Sequence, residues 1–149
     1  MNSRMDERYP GQAESPAAIR RLADVYRAAA VRLWAERDTA EPLSAAPFRW
    51  SAVHAVELYL NAFLRARGHS AEEVRGLHHD LERRVALAQR AGLALRQSAV
   101  RSAARATAGR EYLCARYAAA HGGDRSPPNQ IGALLEEVAA KVGRAVPRD

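Results

Sequence analysis

The chain has little of several things that proteins use to do chemistry or to hold themselves together. A single cysteine, Cys114, excludes an internal disulfide framework. No stretch approaches ~18 consecutive apolar residues, so no transmembrane helix is expected. The opening MNSRMDERYPGQAE is polar and lacks the apolar centre of a secretory signal. Together these place the expected location in the cytoplasm. No Gly-rich phosphate loop, paired carboxylate site or Ser-His-Asp order is present, and no cofactor is implied. Aromatic residues make up only 6% of the 149 residues, and there is one lysine, Lys141, against 22 arginines. What the chain does contain is 33 alanines and 14 leucines, which favour helix and predict an all-α protein of closely packed helices. The formal charge of +6 gives a general, weak attraction to nucleic acid; the arginines are spread along the chain with local concentrations over 20–37 and 96–116, and dedicated nucleic-acid recognition is the lesser alternative.

Residues 1–14 read as disordered and 15–149 as one domain, a length sufficient for a substantial core. Ser15-Pro16 supplies an N-cap and a first-turn proline. Ile19, Leu22, Tyr26, Ala29, Ala30 and Leu33 then recur at helical spacing to about Arg37. A second helix is predicted from about Phe48 to Arg67, with Gly68 in the position of a left-handed stop. Ser70 and Glu73 form a capping box for a short turn interrupted near Gly76. Leu77, Leu81, Val85 and Ala88 carry a third helix to Gly92. Residues 96–121 are helical by propensity, with a break expected at Gly109, and 122–128 form a loop. A last helix opens after Pro128, its apolar stripe running from Ile131 to Val146. Five segments with short connections predict an antiparallel four- to five-helix bundle.

The segment from His54 to Leu81 is the most distinctive. His54, Glu57 and Asn61 lie on one side of the second helix, threaded through Val53, Val56, Leu60 and Phe63. This polar stripe either faces water or lines a pocket. If buried, the Glu57 carboxylate demands a partner, for which Arg116 or a histidine is available. His54, Glu57, Asn61, His79, Asp80 and Arg116 therefore form a candidate ligand-binding constellation. The competing explanation is a network that fixes helix register. Asp80 has a structural use of its own, complementing a helix N-terminus. Metal binding through His54, Glu57 and His78 or His79 lacks a second clear ligand pair, and no metal site is assigned.

His54, Ala55, Glu57, Leu58, Leu60, Ala62, Leu64 and Gly68, followed by His79-Asp80-Leu81, resemble the signature of the HEPN superfamily of small helical bundles. Ala115-Arg116-Tyr117 resembles a further element of many such proteins, and the closing amphipathic helix also fits. Asn61 stands where many relatives carry lysine, and Ala118 replaces a frequent proline. The resemblance covers roughly residues 19–146. It implies a HEPN-like bundle that forms homodimers. One functional group acts as binding modules beside a nucleotidyltransferase or antitoxin partner, with RNA or a nucleotide as ligand. The other consists of metal-independent endoribonucleases, toxins or defence effectors, with an arginine four to six residues before a histidine.

Arg116 and His121 have that spacing and are the candidate catalytic pair. A histidine exchanges protons with the 2′-hydroxyl or leaving 5′-oxygen, while an arginine stabilises charge on the phosphate. The spacing is weak evidence, since about two matches arise by chance in so arginine-rich a chain. Two occur, the other being Arg49 and His54. Tyr117 also follows the arginine where a polar residue is usual in catalytic relatives. A binding module is therefore the leading expectation, and the endoribonuclease the alternative.

Overall fold

The computed structural model describes residues 9–119 and 126–149. Among them the regular elements are all helical: α1 (Pro16–Glu36), a 3-10 turn (Pro42–Ala45), α2 (Ala46–Ala66), α3 (Ala71–Arg75), α4 (Leu81–Arg90), α5 (Gln97–Ala108), α6 (Glu111–Tyr117) and α7 (Pro128–Ala145). The expected disordered segment 1–14 lies partly outside the described residues. Its part from Tyr9 to Glu14 forms a turn closed by the Gln12 N–H on the Tyr9 carbonyl at 2.9 Å.

Local chemistry explains most of the boundaries. Ser15 Oγ accepts the Ala18 N–H at 3.0 Å, capping α1, and Pro16 occupies the first turn. Ser70 and Glu73 make the reciprocal capping box of α3. Gly68, at φ +96°, stops α2 in a conformation that a Cβ disfavours.

One boundary differs from expectation. The third predicted helix begins at Leu81, because Leu77 to Asp80 is a turn in which His78 takes φ +50°. Histidine is among the side chains that enter this left-handed region more readily. The break expected at Gly109 is present: α5 ends at Ala108 and α6 begins at Glu111, with Arg110 between them at φ +51°.

The core is organised around α2, which contacts α1, α3, α4, α6, α7 and the 3-10 turn. Both its faces are therefore apolar, from Phe48 and Ala52 through Val56 and Leu60 to Leu64. Ile131, Leu134, Leu135, Val138 and Val142 of α7 are all buried, as periodicity predicts. α5 packs on α4 and α7 through Ala99, Ala103 and Ala106, whose small side chains permit close approach. Cys114 is half-buried, with Sγ 3.4 Å from the Gly109 carbonyl. No helix among the described residues is long and apolar enough to cross a membrane.

Candidate functional site

The polar stripe of α2 faces the turn between α3 and α4. Glu57 meets two cationic or potentially cationic groups there: its Oε2 lies 3.1 Å from His79 Nδ1, and its Oε1 lies 3.4 Å from Arg84 Nη2. A carboxylate only accepts hydrogen bonds, so this contact fixes the proton on His79 Nδ1 and leaves Nε2 open. The imidazole is held from its other side by Tyr112 of α6, stacked at 4.5 Å between ring centroids. His79 nevertheless keeps 49% of its side chain exposed.

Arg84 is the hub of the network and only 2% exposed. Its Nε donates to Asn61 Oδ1 at 2.8 Å and its Nη2 to the Val74 carbonyl at 3.3 Å. One guanidinium thereby joins α2, α3 and α4. Burial pushes its pKa down, while Glu57 and then Asp80 oppose that shift. Guanidinium stays charged over the whole accessible pH range, so the ion pair with Glu57 compensates its desolvation. Asp80 itself caps α4, accepting the Arg83 N–H at 2.9 Å.

His54 lies a turn before Glu57 among aromatic rings. It stacks on Trp50 at 5.4 Å and meets Tyr26 edge-on at 4.5 Å. Burial lowers its pKa, with His79 and Arg116 acting in the same direction and Glu57 against them. His54 is thus a neutral ring near pH 7.

The stripe does line a cavity. A cleft of about 890 Å³ opens between α1, α2 and the α3–α4 region, with His54, Glu57, Asn61, His79 and Arg84 in its wall. Its other walls are apolar, contributed by Ile19, Leu22, Val25 and Leu58, while Arg21, Arg65 and Arg75 add positive charge. The segment from Tyr9 to Gln12 borders it, with Arg75 placed 4.8 Å over the Tyr9 ring.

Of the residues expected to act together, His54, Glu57, Asn61 and His79 share this cleft, whereas Asp80 is engaged as a helix cap. Arg116 does not pair with Glu57. It is exposed at the end of α6, donates from Nε to the Tyr112 carbonyl at 2.8 Å and lies over Tyr117. His121 lies outside the described residues, so the geometry of the Arg116–His121 pair is not defined. The other spacing match has a structural use: Arg49 is buried against Glu111, 3.2 Å away, and donates to the Ser126 carbonyl at 2.7 Å. No group of three or more His, Cys, Asp or Glu side chains among the described residues is arranged to hold a metal.

Arg84 and Tyr112 were not anticipated. Arg84 did leave a signal, since it falls between Leu81 and Val85 on the buried face of α4, where a charge requires a partner. Tyr112 left none, because its approach depends on how the short α6 packs against α2. Compared with protein-family models, curated proteins and solved structures, the chain matches none of them.

Proposed function

We propose that this chain is a HEPN-like helical binding module, and that the cleft beside α2 takes a nucleotide or another small phosphorylated ligand. The observation that carries this reading is one juxtaposition: the polar stripe shares its cleft with Arg21, Arg65 and Arg75 and with a broad apolar wall. Arg21 and Arg65 make no ion pair among the described residues, so their charge is available to an anion. The volume is within the range of small-molecule sites, ~300–1,000 Å³. Leu22, Val25 and Leu58 offer a surface for a flat base. Asn61 gives its oxygen to Arg84 and keeps its amide N–H groups for a ligand. His79 Nε2 offers a further polar contact. Since Glu57 and Arg84 already satisfy each other, they shape the site and leave the outer arginines to bind phosphate.

The test is isothermal titration of the full-length protein with AMP and ATP. Binding is expected, with Arg65→Ala weakening it by about tenfold or more, the order of losing one charge-assisted contact. Melting temperature should be unchanged, because Arg65 holds no ion pair among the described residues. Absence of heat at millimolar nucleotide, or equal binding by the variant, overturns the assignment.

The same reading carries a homodimer, an antitoxin or nucleotidyltransferase partner, and a place in an RNA- or nucleotide-related system. Light scattering after size exclusion measures the oligomer directly. The endoribonuclease alternative rests on the spacing of Arg116 and His121.

A further inference from the structure

A second concavity shares no lining residue with the cleft beside α2. It is a trough of about 850 Å³ between α5 and α7. Arg96, Arg101 and Arg105 stand on one side, Lys141 and Arg144 on the other. Among the described residues only two carboxylates accompany these five cations, and both are engaged. Glu136 accepts Arg27 through both oxygens, at 3.1 and 2.6 Å. Glu137 accepts the Arg96 backbone N–H at 2.8 Å and Lys141 Nζ at 3.2 Å. Burial works against the Glu137 anion, yet these donors hold its pKa below the usual value. Arg101 and Arg144 carry no ion pair or hydrogen bond among the described residues. Arg101 is one turn from Arg105, and Lys141 is one turn from Arg144. Like charges so spaced on a helix oppose its stability. Arg101 and Arg144 are therefore positive charge that the fold leaves unpaired among the described residues.

The trough floor identifies the shape of what fits. Ala99 and Leu134 lie beneath, and Ala133 and Ala140 are exposed two turns apart on one face of α7. Methyl groups at that spacing let a second helix approach closely, as small residues do at helix contacts. Nucleic acid fits less well. No aromatic side chain among the described residues lines the trough to stack on bases.

We propose that the α5–α7 trough is a docking surface for an acidic amphipathic helix of a partner protein. Its apolar residues seat on the Ala133–Ala140 track, while its carboxylates meet Arg101 on one rim and Arg144 on the other.

A suitable probe is a fluorescein-labelled helical peptide of about four turns, with leucines at helical spacing flanked by glutamates. A twin with lysine for every glutamate is the first control, and single-stranded and duplex RNA are the second. Fluorescence anisotropy with the full chain should show binding of the acidic peptide, weakening as salt rises. Arg101→Glu combined with Arg144→Glu should weaken binding by at least about tenfold, as expected for two rim ion pairs reversed. The melting temperature should hold or rise, because repulsion along α5 and α7 is relieved. Ala140→Tyr should also weaken binding by filling the floor at unchanged charge. The proposal fails if the lysine twin binds equally well, or if the charge reversal leaves peptide affinity unchanged. Charge-sensitive binding of RNA without binding of the acidic peptide would instead make the trough a nucleic-acid surface and overturn it.

Discussion

Replacing Arg84 with methionine tests the most consequential feature of the interior. The substitution keeps an unbranched side chain of useful volume and removes the guanidinium, which is 2% exposed and touches Glu57, Asn61 and the Val74 carbonyl. Removing one member of a buried ion pair costs about 3–5 kcal/mol, mostly because the other charge is left without compensation. Glu57 keeps His79 at 3.1 Å, and that histidine is half exposed, so the lower end applies. A loss of about 3 kcal/mol should lower the melting temperature by roughly 6–12 °C in a chain of this size. The companion Glu57→Gln removes the stranded charge. If the cost is chiefly electrostatic, the double variant Arg84→Met, Glu57→Gln is more stable than Arg84→Met alone, with a coupling of about 1–3 kcal/mol. Urea unfolding of all four proteins closes the cycle, and a shared m-value certifies that one transition is being compared. A drop below about 2 °C for the single variant, or additive effects in the double, would refute the view that Arg84 holds α2, α3 and α4 together.

Other consequences follow from the remaining buried and polar groups. His54 is held neutral by burial, so its folded pKa lies below its unfolded value. Below the unfolded pKa of about 6.5 the unfolded chain binds more protons, and stability should fall as pH drops from 7.5 to 5. Replacement by phenylalanine should flatten that part of the profile in urea titrations, whereas an unaltered slope assigns the effect elsewhere. Glu111 is 1% exposed and pairs with Arg49. Glu111→Ala should therefore cost about 3–5 kcal/mol, read as a fall in denaturation midpoint, and a neutral result would mean that water reaches Arg49. Incubation with mixed RNA in EDTA tests the ribonuclease alternative: a binding module leaves the RNA intact, while cleavage abolished by His121→Ala would establish the enzyme.

The parts of the structure readable from the chain are those governed by neighbours in sequence. The caps at Ser15, Ser70 and Gly68 are local hydrogen-bond and dihedral problems, and the chain solves them where the residues say it should. The buried stripe of α7 needs only a regular period. The boundary near Leu81 was less legible, because a histidine in the left-handed region carries no signal comparable to glycine. The division between α5 and α6 was legible as a break at Gly109, but the position of α6 against α2 was not.

Pairing decided the candidate site. Sequence placed His54, Glu57 and Asn61 on one side of a helix and required a partner for the carboxylate, because a lone buried charge is too costly. It offered Arg116 or a histidine for that role. Tertiary structure chose His79 together with Arg84, left Arg116 exposed on α6, and assigned Arg49 to Glu111. Such choices depend on how elements distant in sequence pack, and every arginine in so arginine-rich a chain is chemically eligible. By itself the sequence determined helix content, most helix boundaries and the polar stripe, all set by local propensity and periodicity. Only the tertiary structure decided that the stripe lines a cleft and which cations neutralise it, since charge compensation in a buried network is settled by distance and burial.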